Sequence, residues 1–311
     1  MQLPVNKPVI VLLGASGVGK TELSIALAKK VNGEIVSVDS RYIYMGIDIG
    51  TAKPDKKQRQ AVPHHLIDIA EPDEIITLAQ FQKMAYKEID SILQAGNIPF
   101  LVGGTGQYLW GVIEGWQPPT IKPNVKLRHV LETMAEQSGA ESLYHMVEVL
   151  DPLAACFIEP RNVRRSIRAL EVIFSSGELF SKQKKYYPPP YRFKIIGLQR
   201  ARDDLYRRVD ARIDKMFADG LIQETEKLLS AGYNPNLPSM TAIGYKEVCD
   251  YLQKKCTLEE AIALIKKRTR IFIRHQANWF KKDDARIRWF AMDEEVEEKI
   301  LGYIYLEEGW I

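Results

Sequence analysis

Between residues 14 and 21 the chain reads Gly14-Ala15-Ser16-Gly17-Val18-Gly19-Lys20-Thr21, a complete GxxxxGK(S/T) pattern, and its flanks restrict what it can become. The apolar run Val9-Ile10-Val11-Leu12-Leu13 precedes it as a buried strand would, and Glu22 to Val31 follows with a helical pattern closed by Gly33. Strand, glycine loop and helix start together make an anion cradle. Glycines let backbone N–H groups converge on phosphate oxygens, and the helix N-terminus adds partial positive charge. Lys20 neutralises the terminal phosphates, and the Thr21 hydroxyl can hold Mg²⁺. The ligand expected here carries a di- or triphosphate; the alternative is a glycine-rich turn with no ligand.

A phosphate cradle does not name a reaction. A nucleoside triphosphatase also needs a second apolar strand ending in a carboxylate that positions the metal ion and water. The best candidate here, Ile98-Pro99-Phe100-Leu101-Val102, ends instead in Gly103-Gly104-Thr105. The nearest well-placed acid is Asp39, after the strand pattern Glu34-Ile35-Val36-Ser37-Val38. In a parallel sheet the carboxyl ends of the strands line one crevice, which would bring Asp39, Thr105 and the phosphate loop to a common pocket. The same arrangement suits a small-molecule kinase, and Asp39 has the alternative of a loop-start or helix-cap aspartate.

At 311 residues, with 46% hydrophobic and 27% charged residues, the chain is expected to fold as one enlarged domain or two. No segment approaches the ~18 apolar residues of a membrane span, so no membrane partner and a cytoplasmic address are expected. Cys156, Cys249 and Cys256 show neither paired nor metal-ligand spacing and read as reduced core cysteines. The capping box Thr77-x-x-Gln80 opens a crossover helix whose apolar positions recur until Gly96. Trp116-Gln117-Pro118-Pro119 marks a boundary, and from Lys126 to Gly177 only helical signals appear. A strand returns at Phe193-Lys194-Ile195-Ile196-Gly197-Leu198, and the remainder reads mostly as helix. The fold class expected is α/β: a P-loop NTPase-like core, a parallel sheet flanked by helices, with an inserted all-helical domain. Residues 1–116 form the first part of the core, 117–191 the insertion, and 192–311 the second part with C-terminal helices.

The net charge is only +3, but it is unevenly spread. Arg161 to Arg212 carries 14 Lys/Arg against 5 Asp/Glu, so the rest of the chain is net negative. Arg161, Arg164, Arg165 and Arg168 have the spacing of one helical face, where guanidinium forks suit phosphate backbones; Lys182, Lys184 and Lys185 extend the charge. A second tract places Lys267, Arg270, Arg274 and Lys281 on one face among Phe272, Trp279 and Phe280, a mixture that suits looped RNA. For these aromatics the core reading is preferred. The acidic end, from Asp293 through Glu307 and Glu308, reads as a solvated face.

Taken together, the phosphate loop, Ser37-Val38-Asp39-Ser40, Asp48-Ile49-Gly50-Thr51-Ala52-Lys53-Pro54, Val62-Pro63-His64-His65-Leu66-Ile67-Asp68, Leu101-Val102-Gly103-Gly104-Thr105-Gly106, Arg168-Ala169-Leu170-Glu171-Val172 and Ile243-Gly244-Tyr245-Lys246-Glu247 resemble the tRNA dimethylallyltransferase (tRNA isopentenyltransferase) family. In order and spacing the likeness covers roughly residues 8 to 290. DIGTAKP beside VGGTG is its specific part. The resemblance implies Mg²⁺-dependent transfer of a dimethylallyl group from dimethylallyl diphosphate to N6 of an adenine adjacent to the anticodon of tRNA. It implies Asp39 as general base, with Lys20, Thr105 and Arg208 meeting the diphosphate beside the loop Gly14 to Thr21, and Thr21 as the metal ligand. It implies tRNA contacts at Asp39, Ser40, Arg41 and Tyr42, at Lys126, at Arg164, Arg165, Ser166, Ile167 and Arg168, at Ile243, Gly244, Tyr245 and Lys246, and at Arg270, Arg274 and Gln276. The tRNA would be held by its anticodon stem-loop, and a monomer is expected.

The chain departs from the family in three places. Gly14-Ala15-Ser16 replaces Gly-Pro-Thr, Tyr42 stands where Gln is common, and His275 replaces a cation. Three rival readings are a P-loop small-molecule kinase, a transferase that prenylates free adenine nucleotide, and a non-catalytic RNA-binding protein.

Overall fold

The computed structural model describes residues 8–119, 121–183 and 185–305, so Lys184, Glu307 and Glu308 lie outside the described residues. The chain forms two compact units: residues up to Ile113 together with those from Pro189 onward, and Glu114–Pro188.

The first half of the chain supplies β1 (Pro8–Gly14), α1 (Lys20–Lys30), β2 (Gly33–Val38), α2 (Lys56–Ala61), β3 (His64–His65), α3 (Leu78–Gln94), β4 (Ile98–Gly103) and α4 (Gly106–Glu114). The second unit contains β5 (Trp116–Gln117), α5 (Val125–Ser138), α6 (Ala140–Leu150), α7 (Pro152–Ala155), α8 (Val163–Ser176), α9 (Phe180–Gln183) and β6 (Lys185–Tyr186). The first unit is then completed by β7 (Arg192–Gln199), α10 (Arg202–Ala218), α11 (Leu221–Ser230), α12 (Tyr245–Leu252), α13 (Leu258–Trp279), β8 (Ile287–Ala291) and α14 (Val296–Tyr305).

In the first unit a six-stranded sheet runs in the order β3-β2-β4-β1-β7-β8, and every pairing is parallel. The central strand β1 is buried along its whole length, which is why it reads as an unbroken apolar run rather than an alternation. Register fixes where the strands stop. Leu13 and Val38 both pair with Gly103, and Gly14 pairs with Leu198, so β1, β2, β4 and β7 end at one level. Asp39, Gly104 and Arg200 therefore emerge beside the phosphate loop.

The capping box of α3 forms as its spacing requires, with Gln80 N–H donating to the Thr77 hydroxyl at 3.3 Å and Thr77 N–H to the Gln80 carboxamide at 2.9 Å. Its buried stripe of Phe81, Ala85, Ile89 and Ile92 covers the sheet, each large side chain contributing about 1.5–3 kcal/mol. Local readings fail elsewhere. Helix α1 begins at Lys20, and the left-handed residue after it is Asn32 (φ 51°), not Gly33. Gly33 instead opens β2, where a Cβ would lie 2.5 Å from the Phe100 ring. The strands β3 and β8 and the eight-residue helix α12 are too short for their pattern to be read from sequence.

The second unit packs Leu131, Leu143, Val147, Ile158, Ile167 and Leu170 into a core of its own. It is not wholly helical: β5 and β6 form an antiparallel ribbon. At its centre the Glu171 carboxylate is fully buried and accepts from Arg128 (2.8 Å), Arg168 (2.5 Å) and the Asn124 N–H (2.7 Å). Burial opposes ionisation, but these donors outweigh it and hold the carboxyl down at about 2.

The three cysteines are free; only Cys249 is buried, while Cys156 is exposed and Cys256 half-buried, so the reading of all three as core residues is corrected. Among the described residues no helix is long and apolar enough to cross a membrane.

Candidate active site

Past β1 the backbone takes left-handed values at Gly17 (φ 81°) and Gly19 (φ 111°), which L side chains adopt only with strain. Gly19 caps α1 without a side-chain hydrogen bond, leaving the N–H groups of the first turn open to an anion. The Lys20 ammonium folds along the loop and donates to the Gly14 and Ala15 carbonyls at 2.9 and 3.0 Å. Desolvation lowers its pKa to about 8; the Asp39 carboxylate opposes that fall and the Arg212 guanidinium adds to it. Three distant side chains fasten the loop: Arg208 Nε donates to the Gly17 carbonyl at 3.1 Å, Arg200 Nε to that of Val18 at 2.9 Å, and Gln276 Oε1 accepts from Ser16 N–H at 2.9 Å.

A cavity of about 890 Å³ opens on this loop, and Lys20, Thr21, Asp39, Tyr42, Arg208 and Arg212 are among its lining residues. Asp39 Oδ1 accepts from Arg41 N–H at 2.9 Å. Thr105 does not line the cavity; its hydroxyl accepts from Ser40 N–H at 3.2 Å and so braces the turn that carries Asp39. The Tyr42 hydroxyl donates to the Ala52 carbonyl at 2.9 Å, and burial raises its pKa well above the usual phenol value.

The DIGTAKP segment walls the cavity because other side chains hold it. The Glu224 carboxylate accepts from the N–H groups of Asp48, Ile49 and Gly50 at 3.2, 3.0 and 3.3 Å. Tyr245 donates to Glu224 at 2.5 Å and accepts from Gly50 N–H at 3.1 Å. Lys53, its side chain 1% exposed, pairs with Asp48 and Asp68 at 2.6 Å each.

Several residues assigned to tRNA by resemblance are otherwise occupied. Tyr245, Ser166, Ile167 and Gln276 are buried with their side chains facing protein, and the Gly244 backbone is buried as well. Ile243 is half-buried, and Lys246 pairs with Asp250 at 3.3 Å. Arg168 is spent on Glu171 and on the Pro119 and Ile121 carbonyls, and Arg161 lies before α8 begins; the four-guanidinium face reduces to exposed Arg164 and Arg165. Arg270 pairs with Asp210 and lies over the Tyr206 ring at 5.4 Å, Arg41 donates to the Pro238 carbonyl, and Lys281 falls past the end of α13. Lys126 and Arg274 are exposed. Of the three late aromatics only Phe280 is core; Phe272 and Trp279 are 41% and 39% exposed. Arg212, one turn beyond Arg208, was legible from that spacing; Glu224 had no local signature.

A glycine loop between a central parallel strand and a helix, with cations and a carboxylate converging on it, defines an α/β protein of the P-loop class built to hold an anionic ligand. Comparison with known proteins narrows this further. The IPP transferase family model matches residues 42–283, and the chain belongs to that family. The tRNA dimethylallyltransferase of Roseiflexus sp. (strain RS-1) is 50% identical over 275 residues, 88% of this chain and 90% of that protein. That of Dehalococcoides mccartyi is 40% identical over 98% of this chain and 95% of its own length. Among solved structures, the tRNA isopentenylpyrophosphate transferase of Bacillus halodurans superposes with TM-score 0.70 at 41% identity, covering 96% of both chains. A eukaryotic dimethylallyltransferase described as acting on tRNA gives TM-score 0.79 at 28% identity, covering 96% of this chain and 78% of its own.

Proposed function

We propose that this chain transfers the dimethylallyl group of dimethylallyl diphosphate to the exocyclic N6 of the adenine adjacent to the anticodon of tRNA, acting as a monomer in the cytoplasm. One observation carries the reading: Lys20 and Thr21 from α1, Asp39 from the end of β2 and Arg208 from α10 line a single cavity. The names borne by the relatives support tRNA and the prenyl group as its substrates.

In this reaction the C–O bond to the diphosphate breaks while N6 bonds to the same carbon, and the amine must lose a proton. Asp39 takes that proton as general base. Lys20, Arg208 and the open N–H groups at the start of α1 stabilise charge developing on the departing diphosphate. Thr105 acts through the Ser40 N–H, keeping the Asp39 turn in place. Among the described residues no group of three or more His, Cys, Asp or Glu side chains could hold a metal by itself. The cavity nevertheless offers the hard oxygen donors of Thr21 and Glu22, a set that fits Mg²⁺, which usually takes one or two protein oxygens and completes its shell with substrate phosphates and water. Thr21 would hold the ion, which when bound supplies electrostatic stabilisation to the diphosphate.

The target base sits in an unpaired loop, so extruding it costs little. Lys126, Arg164 and Arg165 on the second unit, Glu114–Pro188, supply phosphate contacts to the anticodon stem-loop. Arg274, exposed on α13, does so on the first unit. The test is to incubate the protein with unmodified tRNA, Mg²⁺ and dimethylallyl diphosphate, digest the RNA and look by mass spectrometry for adenosine carrying one added five-carbon group. Modification of free adenylate but not of tRNA, or phosphoryl transfer from ATP, would replace this reading with one of its rivals.

A further inference from the structure

Gln276 stands near the end of α13 with only 3% of its surface exposed, and both ends of its carboxamide are used. Oε1 accepts from the Ser16 N–H at 2.9 Å, while Nε2 donates to the Gly104 carbonyl at 2.9 Å. One end therefore fastens the phosphate loop and the other the turn that follows β4. These partners lie 260 and 172 residues away in sequence, so neither bond is imposed locally. Gly104 is fitted to the amide: a Cβ there would lie 2.5 Å from Gln276 Nε2 and 3.5 Å from Lys20 Nζ.

The consequence runs along the backbone. The residue after Gly104 is Thr105, whose hydroxyl receives the Ser40 N–H, and Ser40 follows Asp39. A buried carboxamide thus ties the cradle for the leaving group to the turn that carries the carboxylate. A buried amide deprived of either partner would leave polar groups unpaired, which costs more than the bond itself.

The geometry points to Gln276 as a positioning residue that sets the spacing between the diphosphate cradle and the Asp39 turn, rather than as a group that touches RNA. The inference rests on the reading under Proposed function. Residues on the exposed side of α13, such as Arg274, remain available to RNA; Gln276 does not.

The test measures steady-state transfer with donor and tRNA varied separately, and inorganic pyrophosphate affinity by calorimetry, on the wild type, Gln276→Met, Gln276→Ala, Gly104→Ala and the Gln276→Ala/Gly104→Ala pair. Gln276→Met keeps the volume and loses both bonds; it should raise the donor KM and weaken pyrophosphate binding by about tenfold, with the tRNA KM changed by less than about twofold. Gly104→Ala should do likewise in the wild type and add little once Gln276 is alanine, because the added methyl then meets no amide. A raised tRNA KM with an unaltered donor KM, or strictly additive effects in the cycle, overturns the assignment. Pyrophosphate affinity reads the clamp without turnover. A wild type that binds pyrophosphate but never prenylates tRNA defeats the functional reading instead, and the variants still decide the clamp.

Discussion

The Arg208 guanidinium, on α10, donates through Nε to the carbonyl of Gly17 at the crown of the phosphate loop, 3.1 Å away and 191 residues earlier in the chain. Asp204 is engaged by Arg200 and Asp210 by Arg270, so the acids nearest Arg208 in sequence already have other partners. This bond holds the guanidinium on the loop. Arg208→Ala should lower kcat/KM for the prenyl diphosphate by about 10²–10³, the usual loss for one preorganised donor to developing charge. Arg208→Lys keeps a charge without the fork and should fall less. Equal activity in all three forms would remove Arg208 from the site.

Asp39→Asn keeps the shape of the side chain and its capacity to accept the Arg41 N–H, but cannot take a proton. Transfer should fall by about 10²–10⁴, the range for loss of a general base, with tRNA affinity largely retained in a filter-binding or fluorescence assay.

In the helical unit, Glu171→Gln leaves the guanidinium groups of Arg128 and Arg168 facing a neutral amide. Breaking a buried pair in this way typically costs about 3–5 kcal/mol, which chemical denaturation should register in the transition that reports this unit. The pH dependence has a definite sign. The folded carboxyl titrates at about 2 against a reference value of 4.5, so its stabilisation is complete above 4.5 and disappears as pH falls towards 2. The gap between wild type and Glu171→Gln should therefore close across that interval.

Charge reversal at Arg164 and Arg165 tests the proposed RNA surface. Both side chains are exposed on α8, so folding should tolerate Arg164→Glu/Arg165→Glu. The tRNA KM should rise, and the slope of log affinity against log salt should become shallower by about one for each phosphate no longer neutralised. The donor KM should stay unchanged, which separates this surface from the diphosphate cradle.

Local pattern is a sound guide where one short segment carries its own physical cause. The phosphate loop follows from three glycines and a lysine at fixed spacing, and α3 and α13 open at capping boxes complete within four residues. Asp39 could be placed near the loop because carboxyl ends of parallel strands share one edge, and Leu13 and Val38 both pair with Gly103 at that edge. The partners of polar side chains could not be read this way. Arg168 and Gln276 look like surface groups in sequence, yet one is committed to Glu171 and the other to Ser16 and Gly104. Glu224, with no recognisable motif, holds the DIGTAKP backbone across more than 170 residues. Local pattern thus determined the phosphate-binding class and the strand–helix alternation, since those depend on neighbours in the chain. Only tertiary packing decided which cations and amides face a ligand and which are consumed as struts, because a buried polar group must be satisfied by whatever donor or acceptor the fold brings to it.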